Sequence, residues 1–304
     1  MSHYLVTGGA GFIGSNIVKK LTERGDTVRV LDNYIGGKME QRMIPGVEYV
    51  EGDIRNQEDV RQAVQGIDGI FHLAAVPRVT YSVEHPFETN EHNVTGTLNV
   101  LVAARDAGVK RVVFSTSSSV YGGSKGETPV TEDSKFEPKS PYALQKLAGQ
   151  EYCRIFSELY GLRTVSLCYF NIYGPLMDPN GAYALVIGKF LLQRLNNQPL
   201  TICGDGEYYR DYTHVNDVVA ANIAAMESPK VGQGEMINIG NNAPFSVNQL
   251  ADVVGGERVF VDPRPGDVRF TRANNTKAKE LLGWEPTIKL EDGIAQLKKE
   301  WGIE

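Results

Sequence analysis

The stretch Gly8-Gly9-Ala10-Gly11-Phe12-Ile13-Gly14 decides the reading of this chain. Before it, Tyr4-Leu5-Val6-Thr7 has the apolar character of a buried strand. After it, the segment Phe12 to Arg24 places Ile13, Ile17, Val18 and Leu21 at helical spacing. The glycines therefore stand at a strand-to-helix turn, the context in which their spacing binds a dinucleotide. Gly8 permits the tight turn, Gly11 lets the backbone approach a pyrophosphate, and Gly14 lets helix and strand pack closely. The pyrophosphate then lies on the helix N-terminus, where free N–H groups and the dipole favour an anion. A second strand, Val28-Arg29-Val30-Leu31, ends in Asp32. Its carboxylate can accept hydrogen bonds from a ribose diol and would repel a 2′-phosphate, so NAD is favoured over NADP.

Working outward, strand and helix patterns alternate. Strands are predicted at Tyr4–Thr7, Val28–Asp32, Glu48–Glu51, Gly69–Leu73, Arg111–Ser115 and Thr164–Cys168. Helices are predicted at Gly14–Arg24, Glu58–Val64, Glu88–Ala107 and Tyr142–Tyr160. Alternation of this kind predicts an α/β fold: a Rossmann-type, doubly wound parallel sheet with helices on both faces. Ligands bind such sheets at the carboxyl ends of the strands. Gly8, Asp32, Asp53-Ile54, Ala74-Ala75, Ser115–Ser119 and Phe170-Asn171 all fall at those ends. Beyond about residue 174 prolines punctuate shorter elements. The expected division is an NAD-binding domain over 1–173 and a smaller α/β substrate lobe over 174–304. Part of that lobe is expected to return to the sheet. Its helices are predicted near Tyr183–Leu195, Asn216–Met226, Val247–Val254 and Ile294–Trp301, with strands near Leu200–Cys203 and Met236–Ile239.

The 304 residues are 41% hydrophobic, enough for a full core in one large or two modest domains. The net charge of −6 comes without a basic run, which speaks against a nucleic-acid partner. No apolar stretch approaches the roughly 18 residues of a membrane span. No signal peptide is visible, so a cytoplasmic protein is expected. Cys153, Cys168 and Cys203 are isolated, with no metal-type or redox spacing. The five histidines show no metal-ligand spacing either; His72 and His214 are read as satisfying backbone groups.

The second decisive segment is Tyr142-Ala143-Leu144-Gln145-Lys146, behind the run Ser115-Thr116-Ser117-Ser118-Ser119. A tyrosine and a lysine one turn apart share a face of a helix. An ammonium beside a phenol favours the phenolate, so Tyr142 can serve as a base near neutral pH.

With these residues in place the chain resembles the extended short-chain dehydrogenase/reductases, and closely the nucleotide-sugar 4-epimerases. Matching stretches run nearly end to end. They include Leu31-Asp32-Asn33, Gly52-Asp53-Ile54, His72-Leu73-Ala74-Ala75, Asn93-Val94-Thr95-Gly96-Thr97, Phe114–Gly122, Tyr169–Pro175, Gly204–Val215 and Arg264-Pro265-Gly266-Asp267. The resemblance implies a mechanism. Tyr142 takes the C4 hydroxyl proton of a UDP-hexose as hydride leaves for NAD. The resulting 4-keto sugar turns over, and hydride returns to its other face. Lys146 lowers the tyrosine pKa and holds the nicotinamide ribose. Ser117, 25 residues before Tyr142, matches the family's catalytic serine, and Thr116 and Ser118 are neighbours that could share its work.

The resemblance further implies cofactor contacts from Phe12, Ile13, Asn33, Asp53, Ile54, Leu73, Ala74, Ala75, Asn93 and Tyr169. Substrate contacts are implied from Asn171, Lys189, Arg210, Arg264 and Asp267, the arginines because planar guanidinium groups suit phosphates. Helices Glu88–Ala107 and Tyr142–Tyr160 match those that pair in the family, so a homodimer is expected. Related dehydratases carry an Asp-Glu pair before Val-Tyr-Gly, and decarboxylases keep a glutamate there. Here Ser118-Ser119 precede Val120-Tyr121-Gly122, and two hydroxyls cannot supply that acid–base work.

For the substrate, the position where glucose-restricted relatives place a tyrosine falls on Thr271. A small residue there leaves room for a 2-acetamido group, and a slip of one residue would put bulky Phe270 at the gate instead. The loop Asp178–Ala184 resembles that of bacterial UDP-N-acetylglucosamine 4-epimerases. Arg78, in Pro77-Arg78-Val79, keeps a uronate substrate open. The sequence therefore favours UDP-N-acetylglucosamine, shared or not with UDP-glucose. A glucose-only enzyme, a UDP-glucuronate 4-epimerase and a non-catalytic NAD-binding redox sensor are the alternatives.

Overall fold

The computed structural model describes residues 2–178, 186–263 and 268–303. Six strands build most of its sheet: β1 (His3–Thr7), β2 (Thr27–Asp32), β3 (Glu48–Glu51), β4 (Gly69–His72), β5 (Arg111–Ser117) and β6 (Thr164–Tyr169). A seventh, Glu235–Ile239, lies beyond β6. Across the sheet the order is Glu235–Ile239, β6, β5, β4, β1, β2, β3, and every pairing is parallel. The order reverses between β1 and β4, which opens a crevice at their carboxyl ends. The inner strands read as continuous apolar runs because helices cover both faces. All six residues of β6 and all four of β4 are buried, whereas those of the edge strand β3 are half-buried or exposed.

The first helix, α1 (Phe12–Glu23), follows the glycine turn and buries Ile17, Val18 and Leu21 against β1 and β2. Helix α2 (Gln57–Ala63) is capped by Asn56, whose side chain accepts from the Glu58 N–H. The helix predicted over Glu88–Ala107 is present without a gap, as α4 (Pro86–Asn90), a π turn at Glu91–Thr95 and α5 (Gly96–Asp106), and a short helix the sequence reading lacks, α3 (Val79–Glu84), precedes it. Pro86 separates α3 from α4, since it fits only the start of a helix. Helix α6 (Pro141–Tyr160) opens with Ser140 as N-cap and closes on Gly161 in the left-handed region.

The later residues assemble a second core. Tyr173, Ile187, Phe190, Leu191, Leu200, Ile202, Tyr212, Leu250 and Ile294 pack together, away from the sheet. Phe12, at the start of α1, packs against that cluster. Helix α7 (Val186–Leu195) begins the described part of the helix predicted from Tyr183. Short pairings missed by the sequence hold this part together, among them Tyr209–Asp211 with Pro244–Ser246 and Arg258–Val261 with Leu200–Cys203.

Candidate active site

One cavity of about 1230 Å³ runs along the carboxyl ends of the strands. Pockets for a single ligand hold about 300–1,000 Å³, so this one can take two ligands side by side. At one end it is lined by Gly8, Gly11, Phe12, Ile13, Gly14, Asp32, Asn33, Ile54, Leu73, Ala74 and Ala75. Toward the other end it meets Thr116, Ser117, Ser118, Tyr142, Lys146, Tyr169, Asn171, Arg210 and Thr271.

The glycine turn fits a dinucleotide on steric grounds. Gly8 has φ +71°, and a Cβ there would lie 2.8 Å from the Ala74 nitrogen. At Gly14 a Cβ would lie 2.2 Å from the Gly8 carbonyl oxygen. Side chains would push the turn apart and fill the cradle. The Asp32 carboxylate braces the same turn: Oδ2 accepts from the Ala10 N–H at 2.9 Å and Oδ1 from the Tyr34 N–H at 2.8 Å. Burial raises its pKa, opposed by those two donors. Each carboxylate oxygen keeps a second acceptor position, which suits a ribose diol. Arg42 also lines this end; it donates through Nε and Nη2 to the Leu176 carbonyl, at 3.0 and 2.8 Å.

The tyrosine–lysine pair comes from α6. Both side chains are buried, Tyr142 being only 8% and Lys146 only 4% exposed, although Leu144 between them faces outward. Lys146 Nζ donates to the Ser115 carbonyl at 2.9 Å and lies 5.0 Å from the centre of the Phe114 ring. Burial pulls its pKa down to about 8. Thr116 Oγ1 reaches back to the Lys146 carbonyl at 3.5 Å, so β5 and α6 are stitched in both directions. Ser117 ends β5 and accepts from the Ser119 N–H and Oγ, at 3.3 and 3.0 Å. The serine run thus becomes an ordered turn with the Ser117 oxygen on the cavity wall.

Three further positions were sharpened by the fold. Asn171, at φ +38°, donates through Nδ2 to the Asp211 carbonyl at 3.0 Å and to Thr271 Oγ1 at 3.3 Å. The segment carrying Thr271 runs beside Tyr209–Asp211, with hydrogen bonds from Tyr209 N–H to the Arg269 carbonyl and from Thr271 N–H to the Tyr209 carbonyl. Successive residues of extended chain face opposite ways. Thr271 lines the cavity, while Phe270 stacks on the Tyr209 ring at 5.1 Å and is absent from the lining. Arg78 lines the cavity too, over the Tyr81 ring at 5.7 Å.

Other candidate positions lie off the cavity wall or outside the described residues. Asn93 does not line the cavity: Oδ1 accepts from the Val76 N–H, while Nδ2 donates to the Val76 carbonyl and to Gln145 Oε1. Asp53 stands back from the cavity and accepts from Asn33 Nδ2 at 2.9 Å. Burial pushes its carboxyl up, but hydrogen bonds from Arg55 and Asn33 outweigh this and hold it at about 2. Lys189, on α7, is not among the lining residues. Arg264, Asp267 and Pro179–Ala184 lie outside the described residues. His72 bonds two side-chain hydroxyls, Thr7 at 2.7 Å and Thr97 at 3.0 Å, and not backbone groups; its burial pushes the pKa down to about 3. His214 does meet the backbone, accepting from the Asn216 N–H. Among the described residues no cluster suits a metal ion, and no helix is long and apolar enough to cross a membrane.

A dinucleotide cradle and a buried tyrosine–lysine pair on the wall of one cavity define a short-chain dehydrogenase/reductase of the extended type. Residues 4–240 match the model of the NAD dependent epimerase/dehydratase family, and the chain belongs to that family. The UDP-glucose 4-epimerase of Thermotoga maritima, solved with UDP-glucose, is 38% identical with a TM-score of 0.92, covering 99% of this chain and 98% of that one. The UDP-N-acetylglucosamine 4-epimerase of Methanobrevibacter ruminantium M1, solved with UDP-N-acetylmuramic acid, is 34% identical with a TM-score of 0.91, over 98% and 99% of the two chains. The UDP-glucuronic acid 4-epimerase of Bacillus cereus, solved with UDP-glucuronic acid and NAD, is 31% identical with a TM-score of 0.89, over 99% of both. This chain is accordingly an isomerase, an NAD-dependent UDP-sugar 4-epimerase.

Proposed function

We propose that this enzyme interconverts UDP-N-acetylglucosamine and UDP-N-acetylgalactosamine, and that it also accepts UDP-glucose and UDP-galactose. The observation that carries the choice is the small side chain of Thr271 on the cavity wall, with Phe270 turned onto Tyr209. A hydroxyl and a methyl at that place leave space beside the sugar that an aromatic ring would fill.

When bound, NAD supplies the hydride acceptor and later the donor at C4. The chain does the remaining work. Tyr142 removes the C4 hydroxyl proton and returns it after the sugar has turned over. Ser117 hydrogen-bonds the C4 oxygen, its own orientation set by Ser119; Thr116 and Ser118 flank it. The charge of Lys146 favours the phenolate, and its ammonium also suits a ribose hydroxyl. Asn171, Arg210, Arg264, Asp267 and Lys189 are assigned to the nucleotide and diphosphate. Asp32 and the glycine turn hold the adenosine half of NAD, so that it stays bound between turnovers.

The test is a panel of UDP-glucose, UDP-N-acetylglucosamine and UDP-glucuronate, each incubated without added NAD, with the 4-epimers resolved. Epimerisation of the acetylated sugar supports the proposal. Arg78 on the cavity wall supports a second reading, because a guanidinium there suits a C6 carboxylate. Activity confined to UDP-glucuronate would establish that reading instead. Protein that carries NAD and converts none of the three would be a sensor.

We further propose a cytoplasmic homodimer. The three cysteines are free thiols, as a reducing compartment keeps them. Phe87 on α4 and Leu144 and Leu159 on α6 are exposed apolar residues on helices that a partner would cover. Sedimentation equilibrium tests the state: a monomer at micromolar concentration would end the proposal.

A further inference from the structure

The first N–H groups of a helix have no partner within it. On α6 these groups can be followed one by one. Pro141 has none. The Ala143 N–H donates to Ser140 Oγ at 3.2 Å, and the Leu144 N–H to the Ser140 carbonyl at 3.1 Å. That leaves the main-chain N–H of Tyr142. It donates to Ser82 Oγ at 3.0 Å, across 60 residues of sequence.

Ser82 is fully buried on α3. Its hydroxyl donates in turn to the Val79 carbonyl at 2.6 Å, so it is engaged as donor and acceptor at once. The residues just before it, Arg78, Val79, Thr80 and Tyr81, line the cavity. One hydroxyl therefore joins the wall of the sugar cavity to the backbone of the residue that carries the phenol.

We infer that Ser82 is a positioning residue for Tyr142, fixing the base from outside its own helix and tying its place to the cavity wall at residues 78–81. The inference rests on the reading of Tyr142 as the base. Removal of the hydroxyl strands the Tyr142 N–H in a site closed to water, and the first turn of α6 shifts to find another acceptor. A displacement of about 1 Å at a catalytic group costs on the order of 100-fold in rate, and a smaller shift less.

The test is Ser82→Ala in the NAD-loaded enzyme, assayed with whichever UDP-sugar the wild type epimerises. The expected result is a fall in kcat of about 10-fold or more. KM and NAD content should stay close to wild type, and the melting temperature should fall by only a few degrees, the cost of one stranded N–H. Ser82→Thr, which restores a hydroxyl, should recover most of the loss; if the extra methyl prevents folding, Ser82→Cys, with its weaker acceptor, should fall between serine and alanine. A kcat within about twofold of wild type in Ser82→Ala overturns the inference. So does a parallel loss of kcat and bound NAD, which marks an ordinary packing role. Failure of both folded hydroxyl or thiol variants to recover any rate overturns it as well. Tyr142→Phe, run alongside, separates the two levels: an active Tyr142→Phe removes the base assignment itself, whereas an inactive one beside a normal Ser82→Ala removes only the role of Ser82.

Discussion

Lys146 Nζ donates a 2.9 Å hydrogen bond to the carbonyl oxygen of Ser115, two residues before Ser117 on the same strand. The lysine is thereby held by the strand that delivers the serine, while its helix delivers the tyrosine one turn away. Ser117, Tyr142 and Lys146 come from two elements whose relative position is locked by this bond and by the return contact from Thr116.

Loss of the base should be felt in rate alone. Tyr142→Phe is expected to keep the fold and its NAD and to lower turnover by about 100-fold or more, the scale of a positioned acid–base group. Lys146→Met should be similarly damaging and should also lower NAD content. Steady-state epimerisation with cofactor quantified after denaturation checks both; near-normal turnover by Tyr142→Phe would discard the mechanism.

The buried ammonium makes a pH prediction. Burial lowers the folded pKa of Lys146 to about 8, against an ordinary 10.5. Between those values the unfolded chain binds more protons, so this group's contribution to stability rises with pH. The cost of burying the charge is fully present below pH 8 and fades toward 10.5. Against cofactor-stripped Lys146→Met, the stripped wild type should gain up to about 1 kcal/mol per pH unit in that window. Urea unfolding at pH 7.5 and 9.5 measures the difference, and a constant gap between the two proteins would refute the prediction.

Cofactor retention should depend on the turn and its brace. Gly14→Ala places a Cβ 2.2 Å from the Gly8 carbonyl, which the turn can accommodate only by opening. Bound NAD should fall about tenfold. Asp32→Ala removes acceptors from the Ala10 and Tyr34 N–H groups and should lower NAD occupancy as well. Cofactor released on denaturation should be NAD in near-stoichiometric amount from the wild type. A strict need for added NADP would reverse the reading of Asp32.

Substrate choice should turn on one side chain. Thr271→Tyr is expected to abolish activity on the acetylated pair and spare UDP-glucose, because a ring in the acetamido space clashes only with the larger sugar. The measurement is kcat/KM on both substrates. Equal losses would make Thr271 structural, since its Oγ1 also accepts from the Asp211 N–H and from Asn171.

The gate shows where sequence reading stops. Thr271 and Phe270 are adjacent, and no local pattern tells which faces the cavity. The pairing of their segment with Tyr209–Asp211 decides it, and that contact joins residues about 60 apart. Asn93 shows a different limit. It sits in a matching stretch, but its amide is consumed by Val76 and Gln145, an arrangement visible only once β4 and α6 are adjacent.

By itself the sequence determined the sheet, the glycine cradle, Asp32 and the tyrosine–lysine pair. Those features are local: alternation, a turn that only glycine can make, two residues one helical turn apart. The tertiary structure decided the rest. It set Lys146 on the Ser115 carbonyl, Ser82 under the Tyr142 N–H, and Thr271 in place of Phe270 on the cavity wall. Each of these joins residues about 30 to 60 positions apart, and a hydrogen bond or a facing direction across such a gap exists only after packing has brought the two elements together.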